Sequence, residues 1–416
     1  MAEQRNIVIV GGSNSGLGAA HYALKHIVPA LKAKHDAKHH VYLLNPSSDW
    51  YYRIAAPRIA ASTTLMSAEK ALFNIPSIFK QYGDEDFTFI EAEATGLDTT
   101  ARTISYSKGE NTEKLSYHAL IVATGSKSHD SVFSHTNTPA LLEAIKTRNS
   151  KLLEAKDIIV VGGGPTSVEH AAEIGELLNG KPGWFGSPPK KVNITLITGA
   201  NQLLVALRPA IAKTAEDKLK QLGVDVMYNT RVGDVSNGAN GKTTVALANG
   251  EKMVVDLYIP AHGVLPNSSW LPKSLLNDQG YLKTNDQTLR VDDAGSRVYA
   301  IGDIGSYSRN TAIDINDSLP VAMVNLKRDL LAYSAENPDK KPKGNDRIYK
   351  PSTSETMFVP VGSNGGVGAL FGWRAPNWLV WLFKSRDMML SMGTVGMVTG
   401  DKFKKESLLT RLEIVE

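Results

Sequence analysis

NIVIVGGSNSGLGAA, residues 6–20, carries the reading from which the rest of the chain follows. The β-favouring residues Ile7 to Val10 run directly into Gly11-Gly12-Ser13-Asn14-Ser15-Gly16, and an alanine-rich, helix-like segment comes next. A strand, a tight turn and a helix start in this order make a site for a dinucleotide pyrophosphate. Glycines permit the turn and the close approach of phosphate, while the helix N-terminus offers unpaired N–H groups and the positive end of its dipole. Ser13 stands where the second glycine of G-x-G-x-x-G is expected, so this copy of the motif is imperfect.

A second copy is cleaner. Asp157-Ile158-Ile159-Val160-Val161 leads into Gly162-Gly163-Gly164-Pro165-Thr166-Ser167, then a helical run through Ile174. Gly162 and Gly164 are the first two glycines; Ser167 replaces the third and is small enough for close helix–strand packing. Glu169 and Glu173 lie one turn apart on one face, either as solvent-facing acids near the dipole's positive end or directed at a ligand. A meander and a buried strand follow each copy. Residues 87–117 lead to Leu120-Ile121-Val122-Ala123-Thr124-Gly125, and residues 224–261 to Ile259-Pro260-Ala261-His262-Gly263. His262, alone, reads as a structural or capping residue rather than an acid or base. A third such strand, Val298-Tyr299-Ala300-Ile301, ends in Gly302-Asp303. The expected class is α/β, with two Rossmann-like dinucleotide-binding domains and a small C-terminal α+β domain.

Composition narrows the chemistry. The chain has 416 residues, enough for two or three domains. With 42% hydrophobic and 21% charged residues it is an ordinary folded chain. The net charge is +4, but no Lys/Arg run of five occurs, so no nucleic-acid partner is expected. Cysteine is absent, which excludes disulfides, thiolate metal sites and redox-active thiol pairs. The first residues, MAEQR, are not apolar and residue 2 is Ala2 rather than glycine, so neither a signal peptide nor N-myristoylation is expected. No apolar run reaches membrane-spanning length, and a cytoplasmic location is the expectation.

Between these landmarks, residues 19–34 read as a helix disturbed by Pro29. His35–His40, HDAKHH, reads as a solvated connection, and no metal site is expected there. Asn45 ends the strand Val41–Leu44, where Asp or Glu usually holds the adenosine ribose; it reads as a ribose contact. Arg53 and Arg58 are either phosphate or cofactor partners or surface residues. The strand of residues 192–197 ends at Thr198, again without an acid, and Arg208 is a possible phosphate partner, so NADH against NADPH stays open. Asp317-Ser318-Leu319-Pro320 reads as a helix start. Residues 336–350 form a polar linker, and Trp378–Phe383 either touches a membrane, lines a ligand pocket or packs on its own domain.

The ordered set Gly11–Gly16, Ala123-Thr124-Gly125, Gly162–Glu173 and Gly302-Asp303 resembles the pyridine-nucleotide/flavin oxidoreductases of glutathione-reductase-like fold. Within that group, Ala55-Ala56-Pro57-Arg58, Gly164–Ile174, Asn364-Gly365-Gly366-Val367-Gly368 and Lys384-Ser385-Arg386-Asp387 resemble the apoptosis-inducing-factor-like, ferroptosis-suppressor-protein type of NAD(P)H:quinone reductases. The resemblance implies an FAD-binding domain at 1–126 and 275–330, an NAD(P)H-binding domain at 127–274 and a C-terminal domain at 331–416. It implies FAD at Gly11, Gly12, Ser13, Asn14, Ser15 and Gly16, with Asn45, Arg58, Ala94 (an adenine contact through backbone), Ala123, Thr124, Gly125, Gly302 and Asp303 as further contacts. NADH or NADPH would bind at Gly162, Gly164 and Ser167, the nicotinamide near Glu169 and Lys384 close to the flavin ring, these two being the catalytic candidates. The helix starting near Pro320 would point its positive end at the flavin.

The implied activity is an FAD-dependent NAD(P)H oxidoreductase passing electrons to a small diffusible acceptor such as a quinone, with peripheral membrane contact through Trp378–Phe383. The alternatives are a biosynthetic oxidoreductase acting on one metabolite and a redox-sensing flavoprotein. The region that would carry a quinone-facing aromatic reads Val321-Ala322-Met323. Oligomeric state is not readable.

Overall fold

In the computed structural model, which describes residues 3–34, 37–183, 186, 188–239 and 241–406, two parallel sheets carry the two glycine loops. The first sheet runs in the order Val298–Ala300, Ala119–Val122, Gln4–Val10, Lys38–Asn45 and Phe87–Glu91, all parallel. The second runs Val224–Met227, Asn193–Ile197, Asp157–Val161 and Leu257–Pro260, also parallel. The strands entering the loops are apolar without alternation because helices or loops cover both faces; Ile7, Val8, Ile9, Ile158, Ile159 and Val160 are all buried. In each sheet the loop follows an inner strand flanked by the chain's next strand on one side and a later one on the other. That reversal opens a crevice at the carboxyl ends of the strands, where ligands of such sheets bind.

A smaller α+β part completes the chain. Met357–Pro360, Gly366–Leu370 and Trp373–Arg374 form an antiparallel sheet, followed by the short helix Asn377–Val380, a wide turn at Trp381–Ser385 and the helix Leu390–Val398.

Several local expectations are corrected. The first helix begins at Asn14, directly on the glycine loop, and passes through a wide π turn at Ala23–Ile27 before Val28–Lys32. Pro29 sits in the first turn of that last segment, where its missing N–H is tolerated. Part of HDAKHH is strand rather than connection: Gln4, Arg5 and Asn6 pair with Lys38, His39 and His40. Both histidines are buried, and His40 bonds the Glu85 carbonyl (3.0 Å) and Thr88 Oγ1 (2.8 Å); His35 and Asp36 lie outside the described residues. Residues 87–91 join the parallel sheet as its edge, and the meander is Glu93–Asp98, Thr103–Lys108 and Asn111–Ser116.

Asp317–Pro320 is not a helix start. The helix spans Ala312–Ala332, capped by Thr311, whose side chain accepts the Asp314 N–H, and Pro320 lies inside it. An interior proline costs about 3 kcal/mol. Burying Leu319, Val321, Met323, Val324 and Leu326, at roughly 1.5–3 kcal/mol each, outweighs that. The same burial puts Val321-Ala322-Met323 in the core rather than against a ligand.

Burial holds His170 and His21 down at about 4 and His118 at about 3. A histidine depressed on folding stabilises fully above its unfolded value near 6.5 and loses that contribution as pH falls toward its folded value. Thermal unfolding of wild type and His170→Gln from pH 7 to 4 isolates the term. The variant should gain stability relative to wild type as pH falls, and a constant difference would contradict a buried neutral His170.

Candidate active site between two glycine loops

The first crevice is walled by Gly11, Gly12, Ser13, Asn45, Ala94, Ala123 and Thr124 from the expected set, and by Trp50, Arg53, Asn267 and Trp270, among others. Gly11 has φ +113°, and a Cβ there would fall 2.3 Å from the Ala123 carbonyl oxygen, so only glycine brings the loop this close to the neighbouring strand end. Gly16 is equally constrained, since its Cβ would overlap the Gly11 carbonyl. Gly12 N–H donates to Asn45 Oδ1 (2.7 Å), and Asn45 Nδ2 donates to the Ser47 carbonyl (2.7 Å). Asn45 therefore braces the loop and keeps one lone pair and one proton for a ligand. Ser13 is the N-cap residue of the first helix, but its hydroxyl caps nothing; Asn14 and Ser15 open the helix proper.

Beside the crevice, Asp303 Oδ2 accepts from Ser126 Oγ (2.8 Å). Burial raises the Asp303 carboxyl above its ordinary range, while the Ser126 bond and the Arg53 charge pull it back. Arg53 donates through Nη1 to the Ser126 carbonyl (2.8 Å) and through Nε to the Phe133 carbonyl (2.9 Å). Gly302, at φ +84°, packs on Ser15, which joins the third strand end to the first helix. Thr124 and Gly125 are clasped by Asn267: Asn267 Nδ2 donates to the Thr124 carbonyl (2.9 Å), Thr124 Oγ1 to the Asn267 carbonyl (2.9 Å), and Asn267 N–H to the Gly125 carbonyl (2.9 Å).

At the second loop Gly162 has φ +137°, and a Cβ would lie 2.6 Å from the Ala261 carbonyl oxygen, the same closure as at Gly11. Gly164 is the extended N-cap of the helix Pro165–Asn179, and a Cβ there would meet nothing. Ser167 Oγ turns back onto the Gly164 carbonyl (2.8 Å), so the hydroxyl that replaces the third glycine is satisfied within the loop.

The helix behind this loop carries Glu169, Glu173 and Glu176 on one stripe, all buried. Each is met by a group from elsewhere. Lys384 Nζ lies 2.6 Å from Glu169 Oε1 and 3.2 Å from the Phe358 carbonyl, so the two catalytic candidates form one pair. Arg58 grips Glu173 through Nε (3.0 and 3.1 Å) and Nη2 (2.7 Å), and its Nη1 donates to the Ser385 carbonyl (2.7 Å). Ser363 donates to Glu176 through N–H (2.7 Å) and Oγ (2.6 Å). Burial pushes the Glu169 carboxyl upward, opposed by Lys384. Arg58 is thus committed to this stripe and is not among the crevice-lining residues, where Arg53 stands instead.

This chain belongs to the family described as pyridine nucleotide-disulphide oxidoreductase, whose model matches residues 5–321. It is an oxidoreductase of FAD and NADH or NADPH. It is 40% identical to Oxidoreductase phnG of Penicillium herquei over 97% of this chain and 98% of that protein. It is 27% identical to Ferroptosis suppressor protein 1 of Mus musculus, covering 93% and 94% of the two chains. In fold it is similar to NDH2 of Plasmodium falciparum, solved in complex with NADH (TM-score 0.64, 16% identity, 94% and 98% covered). The residues fit these cofactors: side-chain-free backbone at Gly11, Gly12 and Gly164 admits phosphate, and apolar walls such as Trp50 and Trp270 flank the first loop.

Arg58 and Glu173 are both almost fully buried, so removing one partner strands a charge. Glu173→Leu should lose about 3–5 kcal/mol in denaturant unfolding, and Arg58→Met/Glu173→Leu should recover most of it. A loss below about 1 kcal/mol, typical of an exposed pair, would contradict this account.

Proposed function

We propose that the protein passes hydride from NAD(P)H to FAD and delivers the electrons to a quinone or a similar small diffusible acceptor. The observation that carries the reading is the buried ion pair between Glu169, on the helix of the second glycine loop, and Lys384, in the turn Trp381–Ser385 (2.6 Å). FAD, when bound, supplies the capacity to take a hydride and hand its electrons on. The chain's own work is positional and electrostatic. Gly11, Gly12 and Ser13 with the Asn14 helix end take the FAD pyrophosphate, and Gly162, Gly164 and the Pro165 helix end take that of the nicotinamide nucleotide. Ala123, Thr124 and Gly125, held by Asn267, offer backbone rather than bulk to the cofactor, and Ala94 and Asn45 take its adenosine end. Asp303, braced by Ser126 and Arg53, accepts from a cofactor hydroxyl, with Gly302 leaving it room. Lys384 supplies positive charge near the reacting rings, and Glu169 fixes the ammonium in place.

With no cysteine, the chain has no disulfide through which electrons can pass, which supports direct transfer to a diffusible acceptor. The exposed Phe371, Trp373, Trp378 and Trp381 support peripheral contact with a membrane surface, though no helix among the described residues is long and apolar enough to cross one. A second reading, a biosynthetic oxidoreductase of one metabolite, is favoured by Val321-Ala322-Met323, which is buried in the core and offers no aromatic where a quinone-facing one is expected.

Steady-state NAD(P)H oxidation against short-chain quinones and dioxygen separates the two. The first reading expects turnover across several quinones well above that with dioxygen, lowered about tenfold or more in Lys384→Met with flavin content retained. Inactivity with every quinone, or an unaffected Lys384→Met variant, would contradict it.

A further inference from the structure

We infer that the second glycine loop selects NADPH over NADH and that Arg231 makes the selection, an inference resting on the reading of that loop as the nicotinamide-nucleotide site. The two nucleotides differ only in a 2′-phosphate on the adenosine ribose. In a Rossmann unit that ribose lies over the end of the second strand, where an acid favours the 2′-hydroxyl and repels the phosphate, and a nearby arginine favours the phosphate.

Here the second strand, Asn193–Ile197, is followed by Thr198, which is neutral and buried, its Oγ1 accepting the Ala200 N–H (3.2 Å). Its position is the diagnostic one. A Cβ on Gly163 would lie 2.5 Å from Thr198 Oγ1, so the strand end abuts the pyrophosphate loop. The next residue, Gly199, carries no side chain, and Arg231 lies against it: a Cβ there would meet Arg231 Cγ at 3.1 Å and Nε at 3.4 Å.

Arg231 is delivered by the chain leaving the adjacent strand, Val224–Met227. Asn229 N–H donates to the Ala200 carbonyl (3.0 Å), Thr230 N–H to the Thr198 carbonyl (3.0 Å), and Ala248 N–H to the Arg231 carbonyl (2.9 Å). The backbone is therefore fixed on both sides. The side chain is exposed, and among the described residues its guanidinium makes no hydrogen bond or ion pair.

The other cation the sequence offers is committed elsewhere. Arg208 donates to Glu355 Oε2 through Nε (2.9 Å) and Nη2 (2.6 Å) and also bonds the Gly372 carbonyl, which ties it to the C-terminal part. The strand end thus combines no acid, a glycine against which Arg231 lies, and an unpaired guanidinium carried on a fixed backbone. A phosphate dianion suits that set, since a guanidinium binds phosphate through charge-assisted, bidentate bonds, and a 2′-hydroxyl does not require it.

The test compares kcat/KM for NADPH and NADH with one short-chain quinone, and the affinities of 2′,5′-ADP and ADP as probes, in wild type, Arg231→Ala and Arg231→Lys. Wild type should favour NADPH and 2′,5′-ADP by about tenfold or more. Arg231→Ala should lose most of that preference through KM, Arg231→Lys should keep part of it, and added salt should shrink it. Thr198→Asp should lower kcat/KM for NADPH further than for NADH. Equal use of both nucleotides by wild type, preference for NADH, or an unchanged ratio in Arg231→Ala would overturn the inference while leaving the oxidoreductase reading intact. If neither nucleotide reduces the bound flavin and neither ADP probe binds, the site reading itself falls, and the inference with it.

Discussion

Three buried carboxylates on one helix dictate how this molecule is put together. Glu169, Glu173 and Glu176 follow the second glycine loop on the helix Pro165–Asn179, and each would carry a prohibitive desolvation penalty without a partner. Their partners come from distant segments. Arg58 belongs to the chain that follows the first sheet's second strand, whereas Ser363 and Lys384 belong to the C-terminal part. Satisfying the stripe draws all three regions onto one helix, beside the loop at which the nicotinamide nucleotide is proposed to bind. His170, on the same helix, adds a bond from Nδ1 to the Pro57 carbonyl (2.8 Å).

The two parallel sheets repeat one device with different chemistry. In each, the residue ending the second strand lies against the middle of the glycine loop: Asn45 against Gly12, and Thr198 against Gly163. An acid is the usual occupant of this place, and neither position has one. The Asn45 side chain donates and accepts, bracing its loop, whereas the Thr198 hydroxyl bonds its own turn and brings no charge.

Much of the fold was legible because its requirements are backbone requirements. Gly11, Gly162 and Gly302 hold positive φ where a Cβ would collide, and uninterrupted apolar strands such as residues 7–10 and 158–161 announce a sheet covered on both faces. What escaped depends on tertiary pairing. Arg53 and Arg58 are alike in composition and context, and only the packed structure separates the one lining the crevice from the one gripping Glu173. Glu169 and Glu173 are visible as a helical face, but an acidic face ordinarily signals solvent, and nothing local reveals that Lys384 and Arg58 will cover it. Pro320 and His39–His40 misled for the same reason: burial of neighbouring apolar residues and strand register overrode local preference. Arg231 gave no signal at all, since its place against Gly199 comes from the loop linking it to Thr198 and Ala200.

The proposed function requires FAD at the first loop and a nicotinamide nucleotide at the second, close enough for hydride transfer. Anaerobic titration of the purified protein with NADPH, followed through the visible flavin band, tests it most directly. The purified protein should carry a bound flavin that is bleached by a stoichiometric amount of nucleotide without added acceptor. Protein that carries no flavin, or a flavin that neither NADPH nor NADH bleaches, would contradict it.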